Sequence, residues 1–279
     1  MVKSTVSTTS QKIWRRGTQI WCAMTFIFLL LPIVIMLPFS FSSGSYLSYP
    51  LPGFSLEWYS EIFRPYPVLW TKAFKNSLLV ALPVTVLATV LGTLAAYGLM
   101  LSNFRGKGVL FGLIISPLAV PLVITALASY FFFAKIGLIA TFTGLIISHT
   151  VIAVPFVILT VTATLAGFDR NLEKAATSLG VRPITVFRTI TLPLIAPGVA
   201  TGAIFAFVTS WDELVIALFV AGPDQFTLPR MLYLHVRDHV DPSAVAVAMF
   251  LIIVSALLLV SVELLRLRSI RQREPVARD

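Results

Sequence analysis

Two adjacent acids, Asp212 and Glu213, stand in SWDELVIALF, a stretch that is otherwise largely apolar. A charge near the centre of a bilayer costs at least about 2.5–3.5 kcal/mol on insertion scales, so such acids mark function or firm pairing. Neighbouring helical positions point roughly 100° apart, and the two carboxylates cannot both be spared from lipid by rotation alone. Thr201, Phe205, Thr209 and Glu213 follow at four-residue steps along one face, with Asp212 beside it. One reading is a cation-attracting lining on a transport path, built from Thr209, Ser210, Trp211, Asp212 and Glu213. The other is a structural pair that caps a helix or bridges to a neighbour, Arg230 or Lys135. His235 and His239 lie four apart, the spacing that can set two imidazoles on one metal. HVRDH has no Glu after its first His, and only Asp238 or Asp241 could complete a site. No metal is therefore expected there, and a packed or solvated helix is. The phosphate-loop pattern G-x4-G-K-[ST] occurs nowhere, so the chain lacks that route to ATP.

A second stretch shows order without lipid-like composition: DRNLEKAATSLGVRPITVFRTITLPLIAP, residues 169–197. Leu172, Ala175, Ala176 and Leu179 fall at helical spacing. Asp169 or Asn171 can cap that helix, with Glu173 in its first turn, where the helix dipole favours an anion. Gly180 is placed as its C-terminal stop. Pro183 suits the first turn of a second helix carrying Ile184, Phe187 and Ile190 on one face. Pro193 is expected to end it, and Pro197 to open the next hydrophobic span. Two short helices around a sharp turn make an elbow shaped to dock in another protein's groove.

The elements that must hold these residues are membrane spans. The chain of 279 residues is 57% hydrophobic and 12% charged, with a mean hydropathy of +0.92. Soluble domains carry about 25% charged residues. Six stretches approach the roughly 20 residues that a crossing needs: 18–38, 76–101, 109–134, 138–166, 196–221 and 243–265. The third and fourth are joined by a short turn near Lys135 and Gly137. Pro32, Pro83, Pro117, Pro121 and Pro155 fall inside spans and are expected to bend them. Of the 21 Lys and Arg, all but Arg64, Lys72, Lys75, Lys135, Arg230 and Arg237 fall on the side of the N-terminus. The positive-inside rule then puts both termini and residues 169–193 in the cytoplasm. The net charge of +9 is explained by those flanks and needs no nucleic-acid partner. The apolar run of the first span exceeds the usual 7–15 residues of a signal peptide, so it is expected to stay as a span. Ser55 can cap a short interfacial helix, LEWYSEIF. The basic tail RLRSIRQREPVARD is expected to rest on anionic lipid. The lone Cys22 excludes a disulfide framework within the chain.

The order Glu173, Ala175, Ala176, Gly180, Ile190, Leu192, Pro193 (E-x-A-A-x3-G-x9-I-x-L-P) resembles the EAA loop of permease subunits of binding-protein-dependent ABC importers. Lys174 departs from it, where many members carry Ala. The likeness extends to the second permease of spermidine/putrescine-type transporters, through LEWYSEIF, LEKAATSLG and SWDELVIALFVAGPDQFTLPRMLY. The resemblance implies an all-α, polytopic, single-domain fold over 1–279, the type I importer permease fold, in a bacterial inner membrane. It implies a second, different permease subunit, two ATP-binding cassette subunits that hold ATP and magnesium, and an extracytoplasmic solute-binding protein. This chain would then be a transport subunit with no enzyme activity or cofactor of its own. Glu173 would meet the ATPase surface, Ala175 and Ala176 would keep the contact low, and Gly180 would make the turn. The implied solute is a polyamine such as spermidine or putrescine, with Asp212 and Glu213 handling the amine; opines and aminobutyrate are alternatives. A channel or secondary transporter, the other class open to such a chain, would need no docking elbow.

Overall fold

In the computed structural model, residues 9–62, 69–238 and 242–271 are described. They form α1 (Thr9–Phe39), α2 (Glu57–Ile62), α3 (Leu69–Leu101), α4 (Lys107–Ile115), α5 (Leu122–Ile136), α6 (Phe142–Leu165), α7 (Asn171–Ser178), α8 (Pro183–Val186), α9 (Leu192–Trp211), α10 (Val215–Val220), α11 (Leu228–Asp238) and α12 (Pro242–Arg271). His239, Asp241 and residues 272–279 of the basic tail lie outside the described residues.

The packed centre is the trio α3, α6 and α9. Val84 and Ala88, Ala153, Val157 and Val161, and Ile195 and Ala206 meet there with no exposed surface. Apolar side chains gain little over lipid tails by meeting one another, so close backbone approach has to supply the attraction. Glycines allow it. A Cβ added to Gly198 would lie 2.0 Å from Thr164 Oγ1, and one added to Gly202 would lie 2.6 Å from Thr160 Oγ1. The two threonines satisfy their hydroxyls on their own helix: Thr164 donates to Thr160 O, and Thr160 to Val157 O. A second cluster, with Trp70, Trp211, Leu228 and Val247, ties the start of α3 to the end of α9, α11 and α12. By contrast, none of residues 14–39 of α1 is buried.

Among the described residues, four helices are long and apolar enough to cross a bilayer: Trp14–Phe39, Trp70–Leu101, Phe142–Leu165 and Pro183–Trp211. The expected span 109–134 is not one rod. Its halves, Lys107–Leu118 and Leu122–Ile136, meet at 96° and make a fifth span only if counted together. Pro117 sits in a 3-10 turn at Ser116–Leu118, and Pro121 stands at the head of α5. Two residues without N–H groups inside five positions remove the bonds that would carry a helix through. The expected 243–265 lies in α12, whose apolar part among the described residues is Pro242–Leu257. The six drawn from hydropathy are thus four or five by this measure. The turn near Lys135 is closed by Gly137 at φ 72°, its N–H on Phe133 O.

Residues 183–211 hold a further correction. Pro193 does not end a second elbow helix, and Pro197 does not open a new one. A single helical rod runs from Pro183 to Trp211 through a π-helical turn at Phe187–Thr191. The Leu192 N–H reaches back to Phe187 O. That wider turn makes room for the Pro193 ring, which an ordinary turn would press against the carbonyl four residues before it.

Candidate functional site

The expected span 196–221 is also broken, at the acids themselves. α9 ends at Trp211 and α10 begins at Val215. Glu213 explains the restart. Its Oε1 accepts from Ile216 N at 2.7 Å and its Oε2 from Ala217 N at 3.0 Å. Helix heads leave such amides without partners, and a carboxylate is well suited to them by dipole as well. His149 of α6 brings its Nε2 to 3.3 Å from Glu213 Oε2, while its Nδ1 lies 2.9 Å from Ser210 Oγ. His149, Ser210 and Glu213 are all buried.

Asp212 goes the other way. It is exposed, and it borders a cleft of about 630 Å³ together with Thr209, Val208, Ile152, Phe156 and, from the other helix break, Pro117, Leu118 and Val120. Glu213 reaches the same cleft only at its wall. Both interrupted helices therefore border one space, and carbonyls and amides freed by a break are tolerated in a membrane where they line such a cavity. Phe205, on the stripe read from the sequence, stacks on Phe156 with ring centroids 6.2 Å apart.

Of the five residues read as path lining, the structure brings Thr209 and Asp212 to the cleft and gives Glu213 the capping role. Ser210 and Trp211 are corrected. Ser210 turns to His149, and Trp211 is packed between Phe207 and Phe74, at 5.5 and 5.7 Å between ring centroids. Successive residues at a helix end diverge by about 100°, so a run of five cannot share one face.

At the opposite end of α9 lies the elbow. Asp169 Oδ1 accepts from Asn171 N at 2.9 Å and starts α7. Gly180 ends it at φ 81°, with Gly180 N on Thr177 O at 2.9 Å and Val181 N on Ala176 O at 3.2 Å. Glu173 was expected to face a partner and does not. It is 8% exposed, and its Oε1 accepts from Tyr97 Oη at 3.0 Å and from Thr191 Oγ1. The Phe187 ring packs tilted against Tyr97, with ring centroids 4.8 Å apart. Glu173 thus fastens α7 to the end of α3 and to the π turn. Turned outward instead are Leu172, Ala175, Leu179 and Ile184, with Leu179 84% exposed. Ala176, Ile190 and Leu192 are partly buried, and Pro193 is exposed.

Other features at the far end are structural. Asn76 Nδ2 donates to Asp224 O and Phe226 O, at 2.8 and 3.0 Å, and Ser77 Oγ accepts from Leu228 N at 2.7 Å. His235 lies 3.1 Å from Ser243 Oγ and edge-on to Trp70. Among the described residues, no three His, Cys, Asp or Glu come together as metal ligands. Ser55 Oγ accepts from Glu57 N at the head of α2, while Trp58 donates to Ser42 O at 2.8 Å. Sequence reasoning missed His149, Tyr97 and Thr191. A histidine inside LIISHTVIAV is itself a signal, because an ionisable group in such a run needs a partner.

Residues 88–271 match the family described as binding-protein-dependent transport system inner membrane component. The chain is 32% identical over 240 residues to the spermidine/putrescine transport system permease protein PotC of Escherichia coli (strain K12), covering 86% of this chain and 90% of that protein. It is 36% identical over 230 residues to the putrescine transport system permease protein PotI of the same strain, covering 80% and 81%. In fold it is similar to a chain of a bacterial ABC transporter involved in import of the acidic polysaccharide alginate, with TM-score 0.69, 16% identity and 97% and 100% coverage. A chain of the MetNI methionine ABC transporter gives TM-score 0.60 at 18% identity, covering 73% and 98%.

Proposed function

This chain belongs to the binding-protein-dependent transport system inner membrane components, and from that premise we propose that it is one of two permease subunits of an ATP-driven importer of a polyamine such as spermidine or putrescine. The observation that carries the solute class is the exposed Asp212 carboxylate on a cleft whose other walls are mostly apolar. An alkyl polyamine has the matching composition, ammonium groups on methylene stems. Coulomb attraction strengthens as the surroundings lose water, so one carboxylate there favours a cation over a neutral solute. The relatives named for spermidine/putrescine and putrescine transport point to the same class.

The partners follow from the family. A different permease subunit completes the path, and two ATP-binding subunits hold ATP and magnesium. A solute-binding protein delivers from outside; one similar solved structure is an alginate ABC transporter in complex with its pentasaccharide-bound periplasmic protein. In this reading the elbow and both termini lie in the cytoplasm, a side that the distribution of basic residues supports, and 1–279 acts as one domain. The outward Leu172, Leu179 and Ile184 would dock on one motor subunit. Closure of the motors on ATP would then move the elbow. The rod Pro183–Trp211 of 29 residues would carry that displacement toward the cleft, a length of roughly 43 Å at the helical rise.

In membrane vesicles holding the whole complex, Asp212→Asn is expected to lower uptake of dilute labelled putrescine roughly tenfold, the worth of one interaction with a charged group. An unchanged putrescine rate, or an equal loss for a neutral solute carried by the same complex, overturns the solute class.

A further inference from the structure

His149 has no role in the reading above, yet it is fully buried on α6, between Ser148 and Thr150. Its two nitrogens face different elements. Nδ1 meets Ser210 Oγ on the last turn of α9 at 2.9 Å, and Nε2 stands 3.3 Å from Glu213 Oε2 in the break. A neutral imidazole has one donor and one acceptor. In the tautomer where the Ser210 hydroxyl donates to Nδ1, the proton is on Nε2, the nitrogen on the Glu213 side of the ring. Glu213 is hydrogen-bonded by the amides of Ile216 and Ala217, and the His149 ring closes its third side at 3.3 Å. Its neighbour Asp212, by contrast, borders the cleft and is exposed.

We propose that His149 is a positioning residue for Asp212. It fixes Glu213 as the cap of α10, and so sets the register of the break. The acidic pair is thereby divided: Glu213 is spent on structure, and Asp212 is the carboxylate this chain offers to a cation. The chain then supplies one charge to the path, enough for a single ammonium group. Further ammonium groups of a longer amine must be met by residues of the other permease subunit. The inference rests on the cleft being the solute path.

The test has a readout that does not depend on any solute. In full-length chain carrying Cys22→Ser, Asp212→Cys in the assembled complex is titrated with a small cationic methanethiosulfonate reagent. Modification is expected to be rapid, to slow roughly tenfold on adding His149→Leu, and to recover largely with His149→Gln, whose amide N–H can reach the carboxylate. Ser210→Ala, which leaves the ring in place without its second partner, is expected to slow it less. In parallel, with Asp212 intact, His149→Leu is expected to raise the apparent KM for putrescine and His149→Gln to restore it. If His149→Leu prevents assembly, the Gln and Ser210→Ala arms decide. Rates equal to the parent in Ser210→Ala, together with a His149→Gln complex that reacts as slowly as one lacking any donor at 149 or shows no restored KM, overturn the positioning role. If the thiol rates move as expected while Asp212→Asn leaves uptake of every solute unchanged, His149 still positions Asp212 and the solute-path reading is what fails.

Discussion

Glu173 and Glu213 are the two buried carboxylates of the described residues, and both are held by this chain's own hydrogen bonds rather than offered outward. Glu173 joins three elements through Tyr97 and Thr191. Hydrogen bonds to charged groups contribute about 1.5–3 kcal/mol, so Tyr97→Phe should loosen α7. Amide hydrogen exchange over residues 171–179 is expected to quicken by at least about tenfold, on the same scale, while exchange in α6 stays as it was. Glu173→Gln keeps one carbonyl acceptor and should be milder than Glu173→Lys, which sets an ammonium group against two hydroxyl donors. At the other end, Lys72 lies 2.8 Å from Asp224 and holds its carboxyl below the usual carboxylate range. A depressed value in the folded chain means that any stabilisation is present above the unfolded value and is lost as pH falls through the folded one. Both groups are solvated, and exposed pairs contribute little. Anchoring of the 222–228 loop is therefore expected to be indifferent to pH between 6 and 8, and to Lys72→Met. Asn76→Ala, which strips a donor from two carbonyls at a buried side chain, should free the loop, seen as faster proteolysis there.

At the scale of elements, α6 and α9 meet through Gly198 and Gly202, and the clearance is set by Thr164 and Thr160. Any side chain at these glycines must push the helices apart. Overpacking of this kind costs about 1–3 kcal/mol, so Gly202→Val is expected to lower the thermal midpoint of the detergent-solubilised complex and its yield. Gly180 fails differently. Nothing lies within 4 Å of an added Cβ, but its φ of 81° is hostile to a β-branched residue. Gly180→Val is expected to leave assembly intact and to uncouple ATP hydrolysis from uptake, whereas Gly180→Asn, tolerant of that conformation, should retain most transport. Transport and coupling unchanged in Gly180→Val would mean that the turn is no lever.

At the scale of the molecule, lipid is the solvent of most of the surface, which is why α1 can leave Trp21, Ile27 and Phe28 exposed. The bundle has an elbow at one end and, at the other end of the rod from Pro183 to Trp211, a cleft where two helices are interrupted. The orientation inferred from the basic residues has its own test. In a Cys22→Ser chain, Ser178→Cys is expected to react with an impermeant thiol reagent in inside-out vesicles and not in intact cells. Labelling from outside intact cells would reverse the topology and remove the elbow from the reach of any cytoplasmic motor.

Composition and periodicity alone determined that this is a helical membrane chain, roughly where the spans near 18–38, 76–101 and 138–166 lie, and that a short helix after Asp169 closes at Gly180. Those features follow from hydropathy, from proline and glycine geometry and from local capping, all of which act within a few residues. The gapped motif from Glu173 to Pro193 carried the family. Tertiary structure alone decided which way each polar side chain turned. Glu173 and Glu213 face inward because Tyr97 and Thr191 in one case, and His149 in the other, arrive from 18 to 76 residues away. Pro117 and Pro121 announced a bend, but its 96° size, and the break at Asp212–Leu214, were beyond reading, since a proline or a paired acid in a span permits a break without requiring one. Whether the backbone takes it depends on what lies opposite: here, the cleft that the two broken helices share.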